Sequence, residues 1–300
     1  MRVPDHALEE LREQGFCIVP GFLAHDELAA AVEGLWLDFP TPETYFADPD
    51  AHPSYARSQF AGLRTFPARS WAVNRLALHP DLVDAVERFL GSTDLQLYKG
   101  EIWAKYAGAV DYDQPLHRDF GNHSLVVPRR DGYAMQVTAF ILLSDVTALD
   151  APTHVVSLEH SRDVELVPDH RAAFPNSLPT GALVEHEVAV TGPAGTLFLY
   201  RTDVLHRGTD FAAPGRSRFA VLADYQVRGP TWAGKVAWPD HALQPAFVEV
   251  MERTDVRQRD LFGFPRPGDP YWNAQTWRDV GRRYPGMDVG PYRPEGEVDA

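Results

Sequence analysis

Residues 95–106 read LQLYKGEIWAKY, a run in which Lys99, Glu101, Trp103 and Lys105 fall on one face of an extended chain. The same texture recurs downstream: AMQVTAFILLSDV (134–146), THVVSLEH (153–160), ALVEHEVAV (182–190), GTLFLYRTDVLHRG (195–208) and RFAVLADYQV (218–227). Turn signals separate these runs, and short strands so spaced predict a mainly β fold, a sandwich or barrel. Upstream the period changes. PDHALEELREQG (4–15), with Asp5 placed to cap and Gly15 to stop, AHDELAAAVEGLW (24–36) and HPDLVDAVERFLG (79–91) read as amphipathic helices. FCIVPGFL (16–23) between the first two reads as a strand. The helices are expected to flank the barrel from outside. Residues 39–70, rich in proline and aromatics without a clear period, read as a long packed loop. Beyond residue 228 tryptophan, proline and arginine dominate and periodic apolar content is too thin for a core. The chain therefore divides into one domain, residues 1–228, and an extension, residues 229–300, laid over it.

With 300 residues and 44% hydrophobic content the chain can bury an ordinary globular core. Its formal net charge of -14 argues against nucleic acid and anionic membranes, which attract cationic surfaces, and favours a small-molecule partner. A single cysteine, Cys17, excludes an internal disulfide framework and any multi-cysteine metal site. The first fifteen residues lack an apolar run of signal-peptide length, and no stretch of ~18 apolar residues occurs. A soluble, cytoplasmic protein is expected.

Chemistry concentrates in PLHRDFGNH (115–123). With 12 histidines and 42 acidic residues, about 1.7 pairs spaced i, i+2 are expected by chance, and three are present. His25/Glu27 and His79/Asp81 each open a helix, where capping and the helix dipole account for the acid. No helical pattern follows His117/Asp119. On extended chain the two project to one face, so an imidazole and a carboxylate can converge on one cation. A second histidine would complete a facial triad and leave three coordination positions open. His206, at the far end of the apolar TLFLY (196–200), is the candidate. Arg216 and Arg218 then lead into the next apolar strand. A buried arginine there needs an anion, and a dicarboxylate would supply one.

The order of these pieces resembles the phytanoyl-CoA dioxygenase family of non-haem iron(II)- and 2-oxoglutarate-dependent oxygenases. The resemblance is carried by LREQGFCIVPGFLAHDELAAAVEGL (11–35), HPDLVDAVERFLG (79–91), LHRDF (116–120), FILLSDVTALDAPTHVVSLEHS (140–161) and LHRGTDFAAPGRSRFAVLADY (205–225). It implies a double-stranded β-helix in which His117, Asp119 and His206 bind Fe(II) and a distal arginine, Arg218 in preference to Arg216, binds 2-oxoglutarate. O2 is the implied oxidant, with succinate and CO2 released. Related halogenases lack the metal-binding carboxylate, so Asp119 points to hydroxylation of a small molecule. SLEH (157–160) stands where the family has a glycine-rich turn.

Further pocket residues are read from strand parity. Gln136, Thr138 and Phe140 share a face, Gln136 and Thr138 as candidates for the cosubstrate and Phe140 for the substrate, alongside Asn122 just after the metal motif. Lys99, Glu101, Trp103 and Lys105 read as a solvated sheet face. The extension is expected to shape the substrate mouth or a subunit contact. Two other classes share a barrel with histidines: a non-catalytic or differently metallated cupin-like binding protein, and a cupin-type isomerase or hydrolase with His123 as the extra base. The first has no need of a buried arginine after His206, and the second finds no extra base near PLHRDFGNH other than His123.

Overall fold

The computed structural model describes residues 2–110, 112–119, 136–164, 181–228, 238, 244–269, 271–274, 277, 280–281 and 284–294. The helical flank comes first. Helix α1 (Asp5–Gln14) is capped by Pro4 rather than Asp5, whose carboxylate instead meets Arg88 Nη1 at 2.6 Å. It ends at Gly15, where φ is 86° and a Cβ would strike Val204. Glycine is required there twice over, for the left-handed cap and for the close approach. Strand β1 (Phe16–Val19) and α2 (His25–Leu35) follow. The proline-rich stretch holds α3 (Pro42–Ala47) and β2 (Leu63–Thr65). Next come α4 (Trp71–Asn74) and α5 (Pro80–Leu90). His79 caps α5 by accepting from Asp81 N, and Glu27 Oε2 accepts from Ala24 N at the start of α2. Both of these His-x-acid pairs serve helix starts.

The strands are β3 (Leu95–Tyr106), β4 (Gln136–Leu142), β5 (Thr153–Val156), β6 (Glu187–Val190), β7 (Leu197–Tyr200), β8 (Leu205–Gly208) and β9 (Ser217–Val227). A short α6 (Leu158–Ser161), capped by Ser157, occupies the SLEH segment. Every strand pairing is antiparallel. The larger sheet runs β1-β7-β4-β9-β3-β2 and the smaller β6-β5-β8. Together they form the double-stranded β-helix. Period-2 alternation sorts the side chains: Val137, Ala139 and Ile141 of β4 and Phe219, Val221 and Ala223 of β9 pack against the helices, while Phe140, Leu142, Ala220 and Leu222 face Val155 and Val190 across the barrel. Cys17 lies in the helix-side core, where burial pushes its thiol up to about 12, so it is an inert packing residue.

In the last part of the chain α7 (Pro245–Arg253) and α8 (Val256–Asp260) lie over the helix side. Trp238, Phe247, Met251 and Tyr292 join the same buried cluster as α5 and β3, and Trp238 Nε1 donates to Leu97 O at 2.9 Å. No helix among the described residues is long and apolar enough to cross a membrane.

Candidate metal centre

His117 and His206 face each other across an isolated antiparallel bridge, each backbone N–H donating to the other's carbonyl at 3.0 Å. Directly paired residues project to the same side of a sheet, so two distant segments deliver both imidazoles to one place. The ring centroids are 4.5 Å apart. Each ring is oriented by its own backbone. His117 Nδ1 lies 2.9 Å from Pro115 O and His206 Nδ1 lies 3.2 Å from Val204 O. A carbonyl only accepts, so both Nδ1 atoms carry a proton, and in the neutral ring this leaves the lone pair on Nε2.

Asp119 completes the group. Its Oδ1 is 3.9 Å from His117 Nε2 and its Oδ2 is 3.5 Å from His206 Nε2. Among the described residues this is the one cluster of three or more such side chains whose ligand atoms all fall within 4.8 Å of each other. Two imidazoles and one carboxylate suit a first-row divalent cation and leave half of an octahedron to other ligands. Arg118, between the ligands and 3% exposed, donates from Nε to Asp203 O at 2.9 Å and so ties the His117 segment to the loop before His206.

A cavity of about 480 Å³ opens onto the triad. Arg218 is part of its wall and is 3% exposed. The guanidinium donates to Ala151 O and has no carboxylate partner among the described residues; its Cζ sits 5.8 Å from the ring centroids of both Trp103 and Phe140. Burial lowers its pKa to about 10, which leaves it charged at neutral pH. Beside it, the buried Trp103 Nε1 has no hydrogen-bond acceptor among the described residues. A buried cation and a buried N–H donor in one cavity wall suit a carboxylate.

The other sequence-derived candidates divide. Phe140 lines the cavity. Arg216 does not; it is 36% exposed and pairs with Asp150 at 2.7 Å. Thr138 and Gln136 share the parity of Phe140 and are not among the residues that line the cavity. Thr138 Oγ1 donates to the buried Asp224 at 2.5 Å, and Gln136 Nε2 to Gln226 Oε1 at 3.4 Å. Asn122 and His123 lie outside the described residues. Lys99, Glu101 and Trp103 are cavity wall rather than solvated surface. Lys99 Nζ lies 3.1 Å from Glu101 and 3.2 Å from Asp224. Burial alone would lower the ammonium's pKa, but Asp224 and Glu101 together raise it above its ordinary value. Tyr200, unmarked at the end of an apolar run, donates its hydroxyl to Asp119 Oδ2 at 2.8 Å. Burial first and the Asp119 charge second raise its pKa well above the ordinary phenol value.

Comparison with known proteins follows the same lines. The sequence model of the phytanoyl-CoA dioxygenase (PhyH) family matches residues 11–220. Curated protein sequences gave no match. Several solved structures share the fold at low identity. HygX from Streptomyces hygroscopicus, solved with nickel and 2-oxoglutarate bound, is 19% identical with a TM-score of 0.51, covering 75% of this chain and 87% of its own. AviO1 from Streptomyces viridochromogenes Tue57 is 20% identical with a TM-score of 0.51, over 77% and 97%. The non-heme alpha ketoglutarate dependent carbocyclase SnoK from nogalamycin biosynthesis is 20% identical with a TM-score of 0.50, over 75% and 84%.

Proposed function

Since this chain belongs to the phytanoyl-CoA dioxygenase family, we propose that it is an iron(II)- and 2-oxoglutarate-dependent oxygenase that hydroxylates a small organic substrate. The observation that carries the reading is the pairing of a convergent His117, Asp119, His206 donor set with a buried Arg218, which has no carboxylate partner among the described residues, in one cavity. His117, Asp119 and His206 would hold the metal. Arg218 would take the far carboxylate of 2-oxoglutarate, with the Trp103 indole N–H as a second donor. With iron(II) bound, metal and cosubstrate supply the oxidising chemistry, in which 2-oxoglutarate and O2 give succinate and CO2 as the substrate gains a hydroxyl group. The protein's own share is positional. Nδ1 hydrogen bonds fix both imidazoles, Arg218 fixes the cosubstrate's direction, and Phe140, Trp103 and Leu222 keep its middle dry. The presence of Asp119 favours hydroxylation over halogenation. HygX, alike in fold, holds nickel and 2-oxoglutarate, in line with this assignment.

We further read residues 1–228 as the catalytic domain and 229–300 as an extension of it in a cytoplasmic protein. Anaerobic addition of Fe(II) and then 2-oxoglutarate tests the central claim. A weak visible charge-transfer band that needs both additions and is lost in His206→Ala is the expected result. Absence of the band, with no cosubstrate binding by calorimetry, would overturn it. Product analysis then separates hydroxylation from other oxidative outcomes.

A further inference from the structure

A carboxylate can give a metal one oxygen or two, and the difference decides what else the site can hold. Two imidazoles and one oxygen leave three of six positions; two imidazoles and two oxygens leave two, which a chelating cosubstrate alone would fill. Asp119 lies beyond the single His117–His206 bridge, outside any named strand, and terminal carboxylate torsions are soft. The backbone therefore does not set how its carboxylate meets the cation.

Tyr200 does. It stands on β7, paired with Phe16 on one side and Thr138 on the other, so its Cα is held between two strands. Its ring stacks on Phe198 at 4.9 Å and 17° and tilts against His206 at 4.8 Å. At 4% exposed the side chain is packed in place, and its hydroxyl donates to Asp119 Oδ2 at 2.8 Å. One lone pair of that oxygen is thereby taken by a rigid donor from the larger sheet, which restricts how the carboxylate can turn. We infer that Tyr200 is a positioning residue that holds Asp119 as a one-oxygen ligand and so keeps a third coordination position open. This rests on the metal-site reading above and adds to it a residue outside the ligand set.

The test uses the full chain, Co(II) as the metal probe, and Tyr200→Phe, which removes the hydroxyl and keeps the ring. The expected result is Co(II) affinity about 10–100-fold weaker by calorimetry, the usual effect of losing a ligand-orienting hydrogen bond. A changed visible Co(II) spectrum, weaker 2-oxoglutarate binding to the Co(II)-loaded protein and an unchanged melting temperature of the metal-free protein complete the expectation. Tyr225→Phe removes a buried hydroxyl of the same kind, which donates to Ala77 O at 2.7 Å on the helix side away from the cavity, and is expected to leave Co(II) affinity within about 3-fold. The inference is overturned if Tyr200→Phe matches wild type in affinity and spectrum, or if Tyr225→Phe weakens Co(II) equally. A wild-type chain that binds no Co(II) would instead sink the metal-site reading, and this inference with it.

Discussion

Replacing Arg218 by methionine should move cosubstrate binding and stability in opposite directions. Burial lowers the guanidinium's proton affinity by between two and three orders of magnitude, to a pKa of about 10. That is on the order of 3 kcal/mol against the charged form at about 1.4 kcal/mol per decade. The described residues return little of it, because Arg218 has only the Ala151 carbonyl and two aromatic faces. A carboxylate arriving from 2-oxoglutarate would recover most of the cost. Its loss should therefore weaken 2-oxoglutarate binding about 100-fold in the metal-loaded protein, measured by calorimetry under argon. Without ligand, Arg218→Met removes an uncompensated buried charge while keeping the volume. The gain is offset by about 1 kcal/mol for the unpaired Ala151 carbonyl. A net rise in melting temperature of a few degrees follows. Arg216→Met, at a partly exposed ion pair with the buried Asp150 outside the cavity wall, should leave cosubstrate affinity within about 2-fold. If Arg218→Met bound 2-oxoglutarate as wild type does, or melted several degrees lower with no ligand present, the guanidinium would be structural and the reasoning wrong.

Lys99→Met should destabilise the protein by about 3–5 kcal/mol in urea titration, because it strands Asp224, 0% exposed, beside Glu101. Adding Asp224→Asn should restore a good part of that, and a single variant within 1 kcal/mol of wild type would show that the cluster is solvated. At Glu27, burial alone would raise the carboxyl, but hydrogen bonds from Arg2, the Ala24 amide and His79 outweigh it and hold the pKa at about 2. A carboxyl depressed on folding stabilises above its unfolded value of about 4.5, and that contribution is lost as pH falls toward 2. Glu27→Gln should flatten the acid limb of melting temperature against pH over that window, and an unchanged limb would count against the network.

The parts of this site legible in the sequence were those where periodicity left a residue unexplained. His25/Glu27 and His79/Asp81 were absorbed by helix starts, as Asp81 N on His79 and Ala24 N on Glu27 bear out, and His117/Asp119 remained. His206 became legible through the order of motifs around it. Arg216 and Arg218 share parity, so pattern alone could not separate them; what does is that β9 starts at Ser217, leaving Arg216 in the preceding turn with Asp150. Tyr200 carried no signal, since its hydroxyl matters only through Asp119, 81 residues away in the chain.

The instructive case is β3. Leu95 and Leu97 belong to the helix-side core, yet Lys99, Glu101 and Trp103, of the same odd parity, line the cavity. Strict alternation would put two lysines and a glutamate among the helices, which desolvation forbids. The sequence reading places that charged row in solvent. The chain resolves the conflict with a β-bulge: the register with β9 slips between Leu97 and Lys99, so Leu97 pairs with Tyr225 but Lys99 with Asp224. One extra residue, Tyr98, inverts the parity of everything after it and turns a charged row into the barrel. Lys99 then meets Asp224, Trp103 meets the face of Arg218, and the cavity acquires its polar wall. A bulge has no composition signature on one strand alone; it shows only when the partner's pattern is aligned. In β9 the partner, Arg218, Ala220, Leu222 and Asp224 form the inward row, and the only register that meets Lys99 with Asp224 rather than with Ala223 is the slipped one. The electrostatic match across the two strands is thus the physical reason for the bulge, and the bulge is what brings β3 into the active cavity.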